Sequence, residues 1–102
     1  MITTHVLDTA AGRPAAGVPV RLEALADTGW HTVGQAVTDD DGRVRDFGVA
    51  PAVGRYRLTF DTEARSAFFP EISVTFVVTD PSQHHHVPIL LSPFAFSTYR
   101  GS

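Results

Sequence analysis

Val18-Pro19-Val20-Arg21-Leu22-Glu23-Ala24-Leu25-Ala26 alternates: Val18, Val20, Leu22 and Ala24 point one way, Arg21 and Glu23 the other. A period of two marks a strand with one face on a core. The pattern returns at residues 55–61, where Tyr56, Leu58 and Phe60 share a face, and at 72–79, where Val74, Phe76 and Val78 turn inward. Further short runs lie at 1–8, 30–38, 43–47, 85–91 and 94–98, the last two split by Pro93. Turn chemistry separates them: 10–17 with Gly12, Pro14 and Gly17, then Asp27-Thr28-Gly29, Asp39-Asp40-Asp41-Gly42, 51–54 and Asp80-Pro81-Ser82. Asp and Gly suit such turns because they tolerate positive φ. Seven or eight strands in about 100 residues predict an all-β sandwich. One short helix is expected at 62–67, capped by Thr62, with Glu63 in its first turn and Phe68-Phe69-Pro70 ending it.

The chain has 102 residues, so residues 1–102 are expected to form a single domain with a modest core. Apolar residues make up 43% and charged residues 19%, which places it with folded rather than disordered chains. The net charge is −3 with both signs scattered, which argues against a nucleic-acid surface. The absence of Cys excludes disulfides and thiolate chemistry. All eight basic residues are Arg, so no lysine can act as a base or Schiff-base nucleophile. Acid–base groups must therefore come from His, Asp, Glu, Tyr or the termini. Residues 1–5 carry neither a basic segment nor a long apolar one; no signal peptide and no membrane span are expected, and the cytoplasm is the default location.

Chemistry concentrates in a few places. His84-His85-His86 precedes an apolar strand, and alternation puts His84 and His86 on one face and His85 on the other. Zinc needs more: i and i+2 on a strand give two ligands, and a third would have to be His5 or His31. His5 shares a half-polar face with Thr3 and Leu7, which suits a groove or subunit interface better than a dry core. Arg43 follows Asp41-Gly42 and offers a planar guanidinium to an anion or polarised carbonyl; Arg45 shares its face, and the sequence does not rank the two. The Asp39–Asp41 run lacks the rest of a calcium loop and reads as a turn. Asp8 and Asp46 are the acids nearest these groups in sequence, and Trp30 and His31 read as ordinary strand residues. The chain closes on Tyr99-Arg100-Gly101-Ser102, groups that bind polar ligands rather than fill a core.

Taken in order, Thr3-Thr4-His5-Val6-Leu7-Asp8, Gly12-x-Pro14-Ala15-x-Gly17-Val18, Thr38-x-x-Asp41-Gly42-Arg43, His86-Val87-Pro88-Ile89-Leu90-Leu91-Ser92-Pro93 and the terminal Tyr99-Arg100-Gly101-Ser102 resemble the 5-hydroxyisourate hydrolase family, transthyretin-like proteins of purine degradation. The terminal tetrapeptide separates these hydrolases from transthyretin, the hormone carrier on the same fold. The resemblance implies a transthyretin-like β-sandwich and a homotetramer, a dimer of dimers with sites in a channel between dimers. It implies hydrolysis of 5-hydroxyisourate to 2-oxo-4-hydroxy-4-carboxy-5-ureidoimidazoline. The family's substrate-contacting residues map to His5, Arg43, His86 and Tyr99, with Ser102 at the end of the same tail.

Opening a lactam needs a base, an acid and an oxyanion donor. His5 and His86 can share the first two roles, and Arg43 can supply the third. Tyr99 and Ser102 would close the pocket and orient the ring. No cofactor, no metal, no nucleic acid and no membrane partner are expected. The competing reading is a transthyretin-like carrier of a small aromatic ligand in a tetramer channel; two imidazoles and a guanidinium are more polar than such a channel requires. A β-sandwich interaction or carbohydrate module is the other alternative, and it would tolerate loss of the last four residues.

Overall fold

The computed structural model describes residues 1–102. Nine strands follow one another: β1 (Ile2–Asp8), β2 (Arg13–Pro14), β3 (Pro19–Ala26), β4 (Gly29–Val37), β5 (Arg43–Val44), β6 (Gly54–Asp61), β7 (Glu71–Val78), β8 (His85–Leu91) and β9 (Phe96–Thr98). One sheet has the order β2-β1-β8-β9, with β5 also paired to β1; the other has the order β4-β3-β6-β7. The all-β, two-sheet architecture read from the alternation is therefore present. The strand count exceeds seven or eight because Arg13 and Pro14, inside the expected 10–17 loop, pair with Asp8 and Leu7.

The expected helix at 62–67 is absent. The Ser66 and Arg65 amides both donate to the Thr62 carbonyl, giving one turn that stops there. Thr62 does not cap a helix; its hydroxyl donates across the loop to the Phe69 carbonyl. Ser66 likewise donates to the Pro93 carbonyl at 2.9 Å, so tertiary bonds hold this segment. A stretch this short cannot offset helix nucleation.

The core lies between the sheets, where alternation directs it. Val20, Leu22, Tyr56, Leu58, Phe60, Ile72 and Val78 from one sheet meet Ile2, Val6, Val87, Ile89 and Leu91 from the other. Each fully buried Leu or Phe contributes roughly 1.5–3 kcal/mol from apolar burial. On the outer face of the β4-β3-β6-β7 sheet, Glu23 accepts two 3.0 Å bonds from Arg57, whose guanidinium lies 4.4 Å from the Trp30 ring centroid. The hydrogen bond from Arg57 is the main reason the Glu23 carboxyl sits below its ordinary range. This network joins three strands and explains how the charged positions of β3 and β6 and the aromatic of β4 are satisfied.

The decisive topological feature is the parallel pairing of β1 with β8, from Ile2 opposite His85 to Asp8 opposite Leu91. It brings the first and the last long strand side by side. β5 adds the opposite edge, with His5 across from Arg43.

Candidate active site

Strand register assembles the site on the outer face of the β2-β1-β8-β9 sheet. Thr3 and His86 are direct neighbours across β1 and β8, and His5 and Arg43 across β1 and β5. Side chains opposite one another on neighbouring strands share a face. His85 faces the other way, 5% exposed, into the space between the sheets. The alternation expected for the histidine run thus holds.

Arg43 is held by its turn. Asp39 Oδ1 accepts from the Asp41 and Arg43 amides at 2.9 and 3.0 Å. These bonds, the one to Arg43 first, pull the Asp39 carboxyl below its usual range. Gly42 has φ +74°, and a Cβ there would come within 2.5 Å of the Val6 carbonyl oxygen. Only glycine lets the turn press against β1. Arg45 is tied to Asp41 at 3.0 Å and Asp39 at 3.4 Å, whereas Arg43 joins no ion pair. The structure thus ranks the two arginines that the sequence left equal: Arg43 is the free guanidinium. Neither acid flagged in the sequence joins the cleft, for Asp8 pairs with Arg65 at 3.4 Å and Asp46 caps the Gly48 amide.

Thr3, Arg43, Arg45, His84, His86 and Ser102 line one open cleft of about 270 Å³. His5 lies in the adjoining surface depression with Arg43 and Asp41, and its Nε2 is buried with no hydrogen-bond partner. Tyr99 lines a third hollow, on the other side of His86, with His85 and Phe76. One protomer therefore brings Arg43, His86 and Ser102 together, places His5 next door through Arg43, and leaves Tyr99 apart and 58% exposed. A larger groove of about 550 Å³ lies on the opposite sheet, but it holds no imidazole, and its Arg21 and Glu71 approach one another at 3.8 Å. No three His, Asp or Glu side chains converge closely enough to hold a metal ion within the protomer, so His84 and His86 gain no third ligand from His5 or His31.

The tail is seated on this face. The Gly101 amide donates to the His86 carbonyl at 2.8 Å. A Cβ at Gly101 would sit 2.5 Å from His86 Cδ2, so the glycine is the surface on which the ring rests. Thr3 is a site residue the sequence reading did not single out. Its hydroxyl lies 2.7 Å from His84 Nε2 and 2.8 Å from His86 Nδ1. The signal was available, since Thr3 shares the half-polar face of His5, but contact with residues more than 80 positions away depends on the β1–β8 register. His31 lies on the other sheet, bonded to Thr28 at 2.6 Å.

Burial first, then the Arg43 guanidinium, then His84 and His5, hold the His86 imidazole below its ordinary 6.5. His85 is lowered too, by burial and then by Arg100. Both rings are favoured neutral in the fold. Their contribution to stability is therefore complete above about pH 6.5 and is lost as the pH falls through the lowered folded values. The melting temperature is expected to be flat above about pH 7 and to fall as the pH drops below about 6.5. His85→Leu should remove much of that fall; an unchanged profile in this variant would contradict the assignment.

Two antiparallel-rich sheets with polar chemistry on the outer face of one define a transthyretin-like β-sandwich. The chain belongs to the HIUase/transthyretin family, whose model matches residues 2–101. It is 47% identical to the Arabidopsis thaliana "Uric acid degradation bifunctional protein TTL" over 99% of its own length, and it spans 37% of that relative. The solved "Klebsiella pneumoniae 5-hydroxyisourate hydrolase" superposes with TM-score 0.86 at 39% identity, covering 99% of this chain and 98% of that one. Sea bream transthyretin in complex with thyroxine superposes with TM-score 0.90 at 27% identity, covering 98% and 93%. The fold is common to enzyme and carrier, so the residues on the outer face must decide between them.

Proposed function

We propose that the chain hydrolyses 5-hydroxyisourate by metal-independent histidine acid–base catalysis. The observation that carries this reading is the convergence of His86, Arg43 and Ser102 in one cleft, with His5 on the same sheet face. Water attacks the ring carbonyl, the C–N bond breaks, and the ring nitrogen leaves with a proton. His86, favoured neutral near pH 7, suits the base that receives the water's proton. Arg43, with no carboxylate to neutralise it, suits the developing oxyanion. His5, across from Arg43 on the same face, presents a second imidazole to the ring, and Tyr99 and Ser102 close the pocket over it. An unpaired guanidinium beside two imidazoles is costly in a channel for apolar ligands, which counts against the carrier reading.

The test is the decay of freshly generated 5-hydroxyisourate absorbance, with and without a chelator. Acceleration over buffer in both arms is expected. Decay at the buffer rate would overturn the reading, and loss of activity with chelator would overturn its metal independence.

The same proposal includes a cytoplasmic homotetramer, a dimer of dimers, in which a second copy supplies the wall that one protomer lacks. His5 and Tyr99 stand outside the cleft of their own chain, and the β7 and β9 edges leave Val77, Phe96 and Tyr99 exposed. Apolar exposure of this kind marks contact surfaces. Light scattering at micromolar concentration is expected to report four copies; a monomer would contradict it. No helix is long and apolar enough to cross a membrane.

A further inference from the structure

One hydroxyl stands between two imidazoles in the cleft. Thr3 is 7% exposed and within hydrogen-bond reach of both His84 Nε2 and His86 Nδ1, whose ring centroids are 6.1 Å apart. A hydroxyl has one proton to give. When both rings are neutral, Thr3 donates to one nitrogen and accepts from the other, so the two tautomers are coupled. If His86 carries its proton on Nδ1, that proton points at Thr3 Oγ1. Its Nε2, which makes no hydrogen bond within the chain, is then the free lone pair. Thr3 donates onward to His84 Nε2, and His84 is exposed to solvent.

We propose that His86, the Thr3 hydroxyl and His84 form a proton relay serving ring opening, with Thr3 and His84 as positioning residues that act through His86. The inference rests on the reading of His86 as the acid–base group. As the water oxygen bonds to the ring carbonyl carbon, a water O–H bond breaks and its proton passes to His86 Nε2. The Nδ1 proton moves to Thr3 Oγ1, and the Thr3 proton moves to His84 Nε2. His86 ends neutral, His84 ends as imidazolium, and the carbonyl oxygen carries the negative charge. On collapse the C–N bond breaks, its electron pair stays on the ring nitrogen, and that nitrogen takes the Nε2 proton of His86. The relay then runs backward and restores both neutral rings.

The arrangement answers an electrostatic difficulty. His86 is flanked by Thr3 and His5 on β1, by Arg43 on β5 and Arg45 just beyond it across the cleft, and by Gly101 and Ser102 of the tail. A lasting positive charge on His86 would face the Arg43 guanidinium. Passing the proton to His84 removes the charge to the exposed ring while Arg43 stays free for the oxyanion.

Thr3→Val keeps the shape and removes the hydroxyl; Thr3→Ser keeps the hydroxyl. Thr3→Val and His84→Gln are each expected to lower kcat roughly tenfold with KM nearly unchanged. Thr3→Ser should restore most of kcat, and the double variant should be no worse than either single one. The acid limb of kcat should move up in His84→Gln, because a neighbouring ring that can become cationic has been removed. In the wild-type protein, imidazole ¹⁵N shifts should show His84 and His86 titrating as a coupled pair, and in Thr3→Val independently. Wild-type kcat and pH profile in Thr3→Val would overturn the relay. If the wild-type protein does not hydrolyse the substrate, the functional reading and the relay's part in ring opening fail together, and the titration judges the coupling alone: coupled titration upholds the link through Thr3 and independent titration overturns it.

Discussion

His86→Ala is expected to lower turnover of 5-hydroxyisourate by roughly two or more orders of magnitude, the scale of losing an acid–base group. Its melting temperature should stay close to that of the wild-type protein, since the ring rests on the outer sheet face against Gly101 rather than in the core. Arg43→Ala and His5→Ala should cost a similar factor, through loss of the oxyanion donor and of the second imidazole that faces the ring. The informative contrast is one residue away. His85 is 5% exposed between the sheets, and its Nδ1 is buried without a partner. His85→Ala should destabilise the fold by about 1–3 kcal/mol through the cavity it leaves. Turnover per folded molecule should remain near the wild-type value. His85→Ala as damaging to turnover as His86→Ala, at unchanged stability, would place the wrong histidine on the catalytic face. A slip of one residue exchanges every side chain between faces.

Deleting Tyr99 through Ser102 is expected to reduce activity to background while leaving the fold largely intact. The buried apolar core ends at Leu91, so the last four residues carry little of it. Gly101 bonds to the site instead, at the His86 carbonyl at 2.8 Å, and Arg100 reaches only Gln83 on the surface at 3.1 Å. Ser102 lines the cleft itself. Gly101→Ala refines the experiment. Its Cβ would fall 2.5 Å from His86 Cδ2 and 3.2 Å from Cγ, so the ring or the tail must move. A displacement of this order at an acid–base group costs up to about 100-fold in rate. Circular dichroism and thermal melts separate the outcomes. An unfolded truncation would make the tetrapeptide structural and remove its catalytic meaning; an active Gly101→Ala variant would show that His86 does not depend on its seat.

The architecture was legible because its signal is local. Alternation in residues 18–26, 55–61 and 72–79 names the inward faces, and the structure buries Val20, Leu22, Tyr56, Leu58, Phe60, Ile72 and Val78 accordingly. The short helix failed because Thr62 and Ser66 spend their hydroxyls on tertiary carbonyls at Phe69 and Pro93, which no local pattern encodes. Asp39 read only as turn chemistry, yet its carboxylate is what holds the Arg43 backbone. The choice of Arg43 over Arg45 likewise required the ion pairs that occupy Arg45. Thr3 between two imidazoles was invisible for a topological reason. A parallel pairing of the first strand with the eighth has no signature along the chain, although the face that Thr3 shares with His5 does.

The location of the site can be tested directly by titrating urate, a stable ring of the same shape as the substrate, into ¹⁵N-labelled protein and following backbone and imidazole resonances. The account predicts that shifts concentrate at Thr3, His5, Arg43, His86 and Gly101, with none at Glu23, Arg57 or Trp30. Shifts centred on the larger groove of the opposite sheet, around Arg21 and Glu71, with the histidines unmoved, would contradict it.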